Sequence, residues 1–449
     1  MPTFPHLPRL LAAELERFER THPRSRELAR QARAHLVDGV PMPWMVRAPG
    51  SFPLFLGFAR GARFTDVDGH EYVDLCLGDT AAMAGHAPPA VVAAVAHRMA
   101  RGATLMLPSE DGAWVAAELA RRFGLPAWQF ATTATDANRV MIRLARHLTG
   151  RPKILVFHWC YHGTVDETFA GLDAAGRVVP RPGNLGPPVP LAETTRVVEW
   201  NDVADLKREL AHGDVACVLA EPALTNIGIV LPEPGFHAAL RELTRRSGTL
   251  LVLDETHTFC AGPGGATRAW GLTPDALTLG KALAGGFPAA AYGLSAELAE
   301  RLAGNIHPDE SDTGGIGGTL AGNALALTAM RATLEHVLTD DVFPAMAARA
   351  ERFATGVEAV ITKHDLPWSL KRLGARAEYW FRRESPKNGG EAAAAVDFEL
   401  DRYLHLAALN RGVLMTPFHN MALMCPDTSD ADVDHHTAAF AEAVGELVG

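Results

Sequence analysis

The chain of 449 residues is long enough for two or three packed layers and a smaller appended domain. Its 48% hydrophobic and 21% charged residues are typical of a globular protein, and its net charge of −10 argues against a nucleic-acid partner. We find no signal peptide, no apolar run long enough for a membrane span and no CxxC pair among five cysteines, so we expect a cytoplasmic protein with free thiols.

The N-terminal part combines helices with a hairpin. Residues 10–36 show apolar positions at helical spacing, which predicts amphipathic helices. Residues 63–66 and 71–74 flank Asp68-Gly69, a pair that favours a tight turn between two strands. The Ala-rich residues 88–124 are predicted to be helical.

The middle of the chain alternates short apolar runs with helical segments. The runs cover residues 154–157, 215–219, 249–253 and 276–279. This pattern predicts an α/β fold with a mostly parallel sheet that is buried on both faces. Ligands of such sheets bind beyond the carboxyl ends of the strands, and polar residues recur at those ends here.

Two further segments suggest how the chain is divided. The Pro/Gly-rich residues 180–188 are compatible with a lid or wall over a site and equally with an ordinary surface loop. Helices predicted at 323–338 and 345–360 lead into a last α+β segment. We expect an N-terminal segment at 1–78, a large domain at 79–337 and a C-terminal part at 338–449.

Lys281 is the first candidate for chemistry. It follows a predicted strand in the sequence Leu-Gly-Lys-Ala-Leu-Ala-Gly-Gly, without an acidic neighbour. Burial in such an apolar loop favours the neutral amine, which is the nucleophilic form. The alternative is a solvated lysine.

Asp254 is the second candidate, at the end of the most apolar strand. A carboxylate there is costly unless it has a cationic partner. A protonated ring nitrogen would serve, but so would a role as cap of the following turn. Metal binding by Asp254, Glu255 and His257 is a third alternative, although their spacing matches no known ligand set.

Two more segments complete the pattern. Thr133-Ala134-Thr135 opens a helix predicted at 137–148, whose free N–H groups suit an anion. An ordinary N-cap by Thr135 or Asp136 explains the same residues. Tyr161 follows the strand at 154–157 and offers a ring for stacking, or merely packs at the edge of the core.

In this order, the segments resemble the class III aminotransferases of pyridoxal-phosphate (PLP) fold type I, especially glutamate-1-semialdehyde aminomutase and related transaminases. The likeness runs from about residue 60 to residue 433. It implies a large domain with a mostly parallel sheet and a smaller α+β domain built from the N- and C-terminal segments. It also implies PLP as the cofactor and a Schiff base on Lys281, which would carry the proton between carbons.

The resemblance implies roles for the remaining candidates. Thr133, Ala134 and Thr135 would hold the cofactor phosphate. Thr319, in Gly-Gly-Thr-Leu-Ala-Gly-Asn, would reach the phosphate of a partner subunit, so that a homodimer shares its active sites. The residues that would surround the ring are Tyr161 stacked on it, His162 beside it, Glu221 supporting the pocket, Asp254 at the pyridine nitrogen and Thr256 against the ring.

The substrate residues depart from the family pattern. Asp79-Thr80 stands where many relatives carry an aromatic wall residue. Arg47 is the candidate clamp for a substrate carboxylate, with a plain surface arginine as the alternative. Where some relatives have an arginine near the C-terminus, this chain has Phe418 and His419, which would line a pocket for an apolar or aromatic substrate.

Four functions are compatible with these residues. The first is a transaminase that moves an amino group from an amino acid or amine to a keto acid. The second is a 2,1-aminomutase that returns the amine to the same substrate. A PLP racemase or lyase is the third, and a non-catalytic scaffold of the same fold is the fourth. The complete set of residues argues against the scaffold.

Overall fold

The computed structural model describes residues 4–104, 106–303 and 315–449, and the chain forms two compact units. The first unit comprises Met1–Pro88, Asp341–Ser385 and Ala395–Gly449, and the second comprises Pro89–Asp340 and Pro386–Ala394. The sequence predicts boundaries after residues 78 and 337, whereas the division falls after residues 88 and 340.

Pro386–Ala394 belongs to the second unit, although the sequence pattern groups it with the C-terminal part. The reason is close packing at Gly389, where a Cβ atom would lie 2.1 Å from the carbonyl oxygen of His158. In addition, Nδ2 of Asn201 donates to the carbonyl oxygen of Lys387 at 2.8 Å. The close packing at Gly389 and the side-chain hydrogen bond from Asn201 attach the segment to the second unit.

The described strands are numbered in chain order as β1 (Leu56–Arg60), β2 (Arg63–Asp66), β3 (Glu71–Asp74), β4 (Ala127–Ala131), β5 (Lys153–Phe157), β6 (Ala170–Leu172), β7 (Val178–Pro180), β8 (Thr195–Val198), β9 (Val215–Ala220), β10 (Leu250–Asp254), β11 (Ala276–Leu279), β12 (Ala290–Leu294), β13 (Ser369–Leu373), β14 (Arg376–Trp380), β15 (Val413–Leu414) and β16 (Met421–Leu423). The described α-helices are Leu7–Thr21, Pro23–Ala32, Pro89–Met99, Glu110–Phe123, Ala134–Thr149, Val203–Leu210, Phe236–Ser247, Gly265–Ala269, Ala296–Ala303, Ala324–His336, Val342–Lys363, Gly389–Ala393, Phe398–Asn410 and Asp430–Val448.

The second unit contains the predicted sheet. Seven strands lie in the order β4-β12-β11-β10-β9-β5-β8, and β12 is antiparallel to both of its neighbours while the other pairs are parallel. Every residue of β9, β10 and β11 is buried, as continuous apolar strands require when both faces are covered. The expectation of a mostly parallel central sheet is confirmed.

A short hairpin leads into the Pro/Gly-rich residues 180–188. Strands β6 and β7 pair antiparallel, with Ala170 opposite Pro180 and Leu172 opposite Val178. The hairpin packs on the residues that follow β5, because the N–H of Leu172 donates to Nδ1 of His158 at 3.2 Å. A Cβ atom on Gly171 would lie only 3.2 Å from the same ring. The hairpin is therefore held next to the carboxyl end of β5.

The first unit holds two smaller sheets, β1-β2-β3-β15 and β13-β14-β16. The predicted hairpin is β2–β3, and Gly69 takes the left-handed conformation at its turn with φ 92°. Tyr72 of β3 joins this hairpin to the N-terminal helices by a hydrogen bond of 2.8 Å to Nε2 of His22. No helix of the described ranges is both long and apolar enough to cross a bilayer.

Candidate active site

Asp254 ends β10 with its carboxylate buried and fully engaged. Oδ2 accepts hydrogen bonds from Nδ2 of Asn138 at 2.9 Å and from Nδ1 of His162 at 3.0 Å, and Oδ1 accepts the N–H of Thr256 at 3.0 Å. Burial raises the pKa of Asp254, but these donors outweigh it and hold the pKa below its usual value. One oxygen thus caps the following turn, as one alternative proposes, while the other faces a cationic partner.

His162 is that partner, and it is buried. Burial lowers the pKa of His162, whereas Cys160 and Asp254 raise it by more, so the ring favours the protonated state. Its Nε2 has no hydrogen-bond partner among the described residues. A buried imidazolium with one free N–H still needs an acceptor.

Asn138 is a site residue that the sequence analysis missed. Its amide donates to Asp254 and also to the carbonyl oxygen of His162 at 3.1 Å, and its Oδ1 accepts the hydroxyl of Thr278 at 2.7 Å. Thr278 lies directly opposite Asp254 in the β10–β11 pair. A polar residue on the buried face of a helix is the signal that points to Asn138.

Lys281 follows β11, the strand next to that of Asp254, and opens a short 3-10 turn, Lys281–Ala284. Its backbone is left-handed, with φ 46°, which is uncommon for a residue with a side chain. Nζ lies 2.9 Å from Nε2 of His257, a second residue that the sequence analysis did not assign to this amine. The register of β10 and β11 therefore brings Lys281 and Asp254 to the same edge of the sheet.

The predicted phosphate segment forms the first turn of helix Ala134–Thr149, which starts three residues earlier than expected. Thr133, rather than Thr135 or Asp136, is the N-cap, and with Asp136 it forms a capping box. The cap uses the N–H of Asp136 and leaves those of Ala134 and Thr135 available to an anion. Gly280 lies against this turn, since a Cβ atom there would be 3.0 Å from that of Ala134.

Glu221 and Thr256 are buried next to this network. Glu221 accepts the hydroxyl of Thr225, and burial raises the pKa of Glu221 to about 7. Oε1 of Glu221 and Oγ1 of Thr256 have no hydrogen-bond partner in the described part of the chain, like Nε2 of His162. Unsatisfied polar atoms, a buried anion and a free helix N-terminus fit a cofactor that carries a phosphate and a basic ring nitrogen.

The metal alternative for this edge is not supported by the geometry. Glu255 accepts the hydroxyl of Thr258 and the N–H groups of Ala266 and Thr267. Asp254 faces His162, while His257 contacts the amine of Lys281. Because these three side chains engage different partners, they do not form one ligand set.

The remaining candidates of the second unit occupy more open positions. Tyr161 is half-buried, and its ring meets that of Phe169 edge-on at 6.1 Å between centroids. Thr319 is exposed on the turn that precedes helix Ala324–His336. Their proposed contacts with the ring and with a partner's phosphate remain predictions.

The four predicted substrate residues lie in the first unit. Arg47 is exposed at the end of the 3-10 turn Pro43–Arg47. Phe418 meets Trp44 edge-on at 5.6 Å, and Nδ1 of His419 lies 3.2 Å from Oε1 of Glu378. Oδ1 of Asp79 lies 3.9 Å from Nη2 of Arg376, a buried arginine that the sequence analysis missed.

The fold and this constellation are those of PLP enzymes of fold type I. A family model, that of class III aminotransferases, matches residues 45–444, and the chain belongs to this family. Class III aminotransferases use pyridoxal phosphate and act on small molecules. The cofactor inferred from the sequence is therefore confirmed at the level of the family.

Two similar proteins within the family are aminomutases. Glutamate-1-semialdehyde 2,1-aminomutase of Desulfitobacterium hafniense is 33% identical over 420 residues, which cover 92% of this chain and 96% of the relative. A glutamate-1-semialdehyde aminomutase of Pseudomonas aeruginosa PAO1 is 52% identical, with a TM-score of 0.96 and 98% coverage of both chains. A variant of that aminomutase was solved in complex with PMP.

Another similar structure is that of an aminotransferase. The β-phenylalanine aminotransferase of Variovorax paradoxus has a TM-score of 0.86 and is 27% identical to this chain. The match covers 98% of this chain and 97% of the aminotransferase. Aminomutases and aminotransferases thus share this fold over nearly the whole length.

Proposed function

We propose that the protein is a PLP-dependent 2,1-aminomutase, which moves an amino group between adjacent carbons of an amino aldehyde such as glutamate-1-semialdehyde. Similarity over nearly the whole chain to aminomutases, at 52% and 33% identity, supports this choice over transamination. The chemical part of the proposal rests on one observation. Buried Asp254 ends the strand next to the one that leads to Lys281.

Asp254 and its neighbours would hold the cofactor ring. When bound, PLP supplies an aldehyde that condenses with amines and a ring that accepts electron density from the substrate carbon. The Asp254 carboxylate would keep the ring nitrogen protonated, which this electron-accepting role requires. His162 and Asn138 fix that carboxylate in position and offset the cost of burying it.

Lys281 would move the proton. Its Nζ would take a proton from one substrate carbon and return it at another position, as a general base and then a general acid. Nε2 of His257, 2.9 Å away, can accept a hydrogen bond from this amine when no substrate is bound. The left-handed backbone at Lys281 sets the direction in which its side chain leaves the main chain.

The helix that begins at Ala134 would bind the phosphate through its free N–H groups. Thr135, in the first turn of this helix, would also bind the phosphate. We further propose that Thr319 binds the phosphate held by the other copy in a homodimer. The exposed position of Thr319 suits a contact between subunits.

One experiment separates the aminomutase from the transaminase. Purified holoenzyme is given glutamate-1-semialdehyde without any keto acid, and 5-aminolevulinate is measured over many turnovers. We expect sustained conversion, because the amine returns to the molecule that supplied it. Product formation that requires a keto acid, with one keto product per turnover, would contradict the aminomutase.

Transamination is the second candidate. The likeness to the β-phenylalanine aminotransferase favours it. Transamination would use the same two residues, Lys281 and Asp254. A panel of amino donors, followed by conversion of the bound cofactor to its pyridoxamine form, tests it directly.

A further inference from the structure

Three metal-binding side chains meet in the first unit, and the candidate active site uses none of them. His22 lies between helices Leu7–Thr21 and Pro23–Ala32, Asp66 ends β2, and His70 directly precedes β3. Nε2 of His22 lies 3.5 Å from Oδ2 of Asp66, and Nδ1 of His70 lies 3.2 Å from the same oxygen. One possible ligand atom from each residue lies within 4.8 Å of the other two. Two imidazole nitrogens and a carboxylate oxygen thus converge.

The contacts of the His22 ring make Nε2 available as a ligand atom. Nδ1 lies 2.7 Å from the carbonyl oxygen of Phe18, which can only accept, so Nδ1 carries a hydrogen. Burial lowers the pKa of His22, which favours the neutral ring with a lone pair on Nε2. Histidines that bind metals typically donate their other N–H to a carbonyl or carboxylate, because this bond fixes the tautomer and the orientation of the ring.

The carboxylate of Asp66 is also held in place. Oδ1 accepts the N–H groups of Asp68 and His70, both at 2.9 Å, within the turn between β2 and β3. This arrangement directs Oδ2 towards the two imidazole rings. The side chain of Asp66 is completely buried, and a carboxylate removed from water requires hydrogen-bond donors or a cation.

The hydroxyl of Tyr72 leaves the cluster one hydrogen short. Its oxygen lies 2.8 Å from Nε2 of His22 and 2.9 Å from Oδ2 of Asp66, but its single hydrogen serves only one of them. Even when His70 donates to Asp66, the three close contacts share two hydrogens as long as His22 is neutral. One pair of electron-rich atoms then meets without a hydrogen between them, which is costly in a buried site. A bound cation would remove this cost.

We propose that His22, Asp66 and His70 bind a zinc ion. Zinc takes imidazole nitrogens and carboxylate oxygens at about 2.0–2.2 Å in a tetrahedron, which places neighbouring ligand atoms roughly 3.4 Å apart. The observed separations of 3.5 and 3.2 Å agree with this spacing. Two imidazoles favour zinc over magnesium and calcium, which prefer oxygen ligands. The side chain of His70 is 41% exposed, so that water can reach the fourth position.

An ion at this place would join the N-terminal helices to the β2–β3 hairpin. A second contact already holds these parts together, because the carboxylate of Asp68 accepts the N–H groups of Arg24 at 2.6 Å and of Ser25 at 2.9 Å. The zinc ligands are thus positioned before the ion binds, which lowers the entropic cost of binding. An ion that binds only the folded chain stabilises it.

Zinc binding is measured directly by calorimetry. Untagged holoenzyme is treated with a chelator, dialysed and titrated with zinc, and we expect one ion per chain in the wild type. His70→Ala should bind zinc more weakly by roughly 100-fold or more, because loss of even an outer partner of a metal ligand costs roughly 10- to 100-fold. His35→Ala, at an exposed histidine of the same unit, should bind as the wild type does. Equal binding by His70→Ala, or none by the wild type, would overturn the proposal.

Cobalt in place of zinc reports the geometry. In the wild type, Co²⁺ should give the strong visible bands of a four-coordinate ion, at longer wavelengths than the cofactor absorbs. These bands should be absent from His70→Ala and present in His35→Ala. The weak bands of a six-coordinate ion in the wild type would contradict the tetrahedral site.

Thermal unfolding distinguishes a metal ligand from a residue that merely supports the hairpin. Saturating zinc should raise the Tm of the wild type by roughly 2–5 °C and leave that of His70→Ala unchanged. Tyr72→Phe removes the shared hydroxyl but keeps the three ligand atoms, so its Tm should still rise with zinc. If His70→Ala is less stable than the wild type by the same amount with and without zinc, the cluster serves hydrogen bonding alone and the proposal is wrong.

Discussion

Nδ1 of His162 lies 3.0 Å from Oδ2 of Asp254, and both side chains are almost completely buried. The carboxylate also receives two further hydrogen bonds, from Asn138 and from the backbone of Thr256. A buried charge of this kind is stable only with such partners, and it creates a strong local preference for a cation. This preference would hold a protonated ring nitrogen in place.

Asp254→Asn should therefore weaken cofactor binding. The amide has the same shape but no charge, so the ring nitrogen loses its counter-ion and His162 loses its acceptor. We expect the cofactor Kd to rise by roughly 30-fold or more, on the scale of about 2–5 kcal/mol for a broken buried pair. The Kd is measured by titrating cofactor-free protein with PLP. Asp275→Asn is the control, because Asp275 pairs with Arg241 before β11, at the other end of the strand. An unchanged Kd would exclude Asp254 from the cofactor site.

Thr278→Val tests the outer part of the same network. The hydroxyl of Thr278 fixes the amide of Asn138, whose Nδ2 must face Asp254. Without this hydroxyl the amide is free to turn, and its oxygen would then repel the carboxylate. We expect the cofactor to bind roughly 5- to 30-fold more weakly, from about 1–2 kcal/mol. Thr278→Ser keeps the hydroxyl and should restore binding. Equal effects of both substitutions would point to packing instead.

Lys281→Ala should remove the visible absorbance of a lysine-bound cofactor and lower turnover by at least roughly a thousandfold, since both the nucleophile and the proton carrier are lost. The absorbance spectrum and the rate with glutamate-1-semialdehyde are the measurements. Lys207→Ala, at an exposed position of helix Val203–Leu210, controls for loss of a lysine in general. Activity retained in Lys281→Ala would reject the assignment.

The sequence allowed the central sheet and its polar strand ends to be predicted, because apolar runs such as 250–253 leave little choice but a buried strand. Asp254 and Lys281 followed from their positions after such runs. Asn138 escaped notice, and His257 was considered only as a metal ligand, since their roles depend on which side chains the sheet register brings together. The N-cap was misplaced at Thr135 or Asp136, because a capping box at Thr133 also satisfies the local pattern.

Arg181, the residue directly after β7, illustrates the same limit. In the sequence it belongs to a Pro/Gly-rich stretch, which indicates a wall or a surface excursion equally well. Only the pairing of β6 with β7 brings its side chain onto Trp159 and Cys160. A contact such as that between Arg181 and Cys160, which are 21 positions apart, leaves no periodic signal in the chain.

Gly163→Ala should weaken phosphate binding. Gly163 has φ 78°, and an added Cβ would lie 2.1 Å from Oγ1 and 2.9 Å from Cα of Thr135. The first turn of the helix that begins at Ala134 would have to move, so we expect a loss of roughly tenfold or more in cofactor affinity, with about 1–3 kcal/mol of strain. Gly176→Ala is matched to it, with φ 74° and nothing within 4 Å of the added atom. Unchanged cofactor affinity in Gly163→Ala would show that this turn does not hold the phosphate.

The raised pKa of Glu221 predicts that the stability of the cofactor-free protein depends on pH. Burial raises its pKa from 4.5 to about 7, so its folded-state pKa exceeds the unfolded value. The contribution to stability is complete below about pH 4.5 and is lost as the pH rises through about 7. Glu221→Gln cannot ionise, and relative to it the wild type should lose up to about 3 kcal/mol between pH 4.5 and 8. Urea unfolding of both proteins across this range measures the difference. A constant difference would mean that Glu221 stays ionised in the folded state, stabilised by the nearby charge of His162.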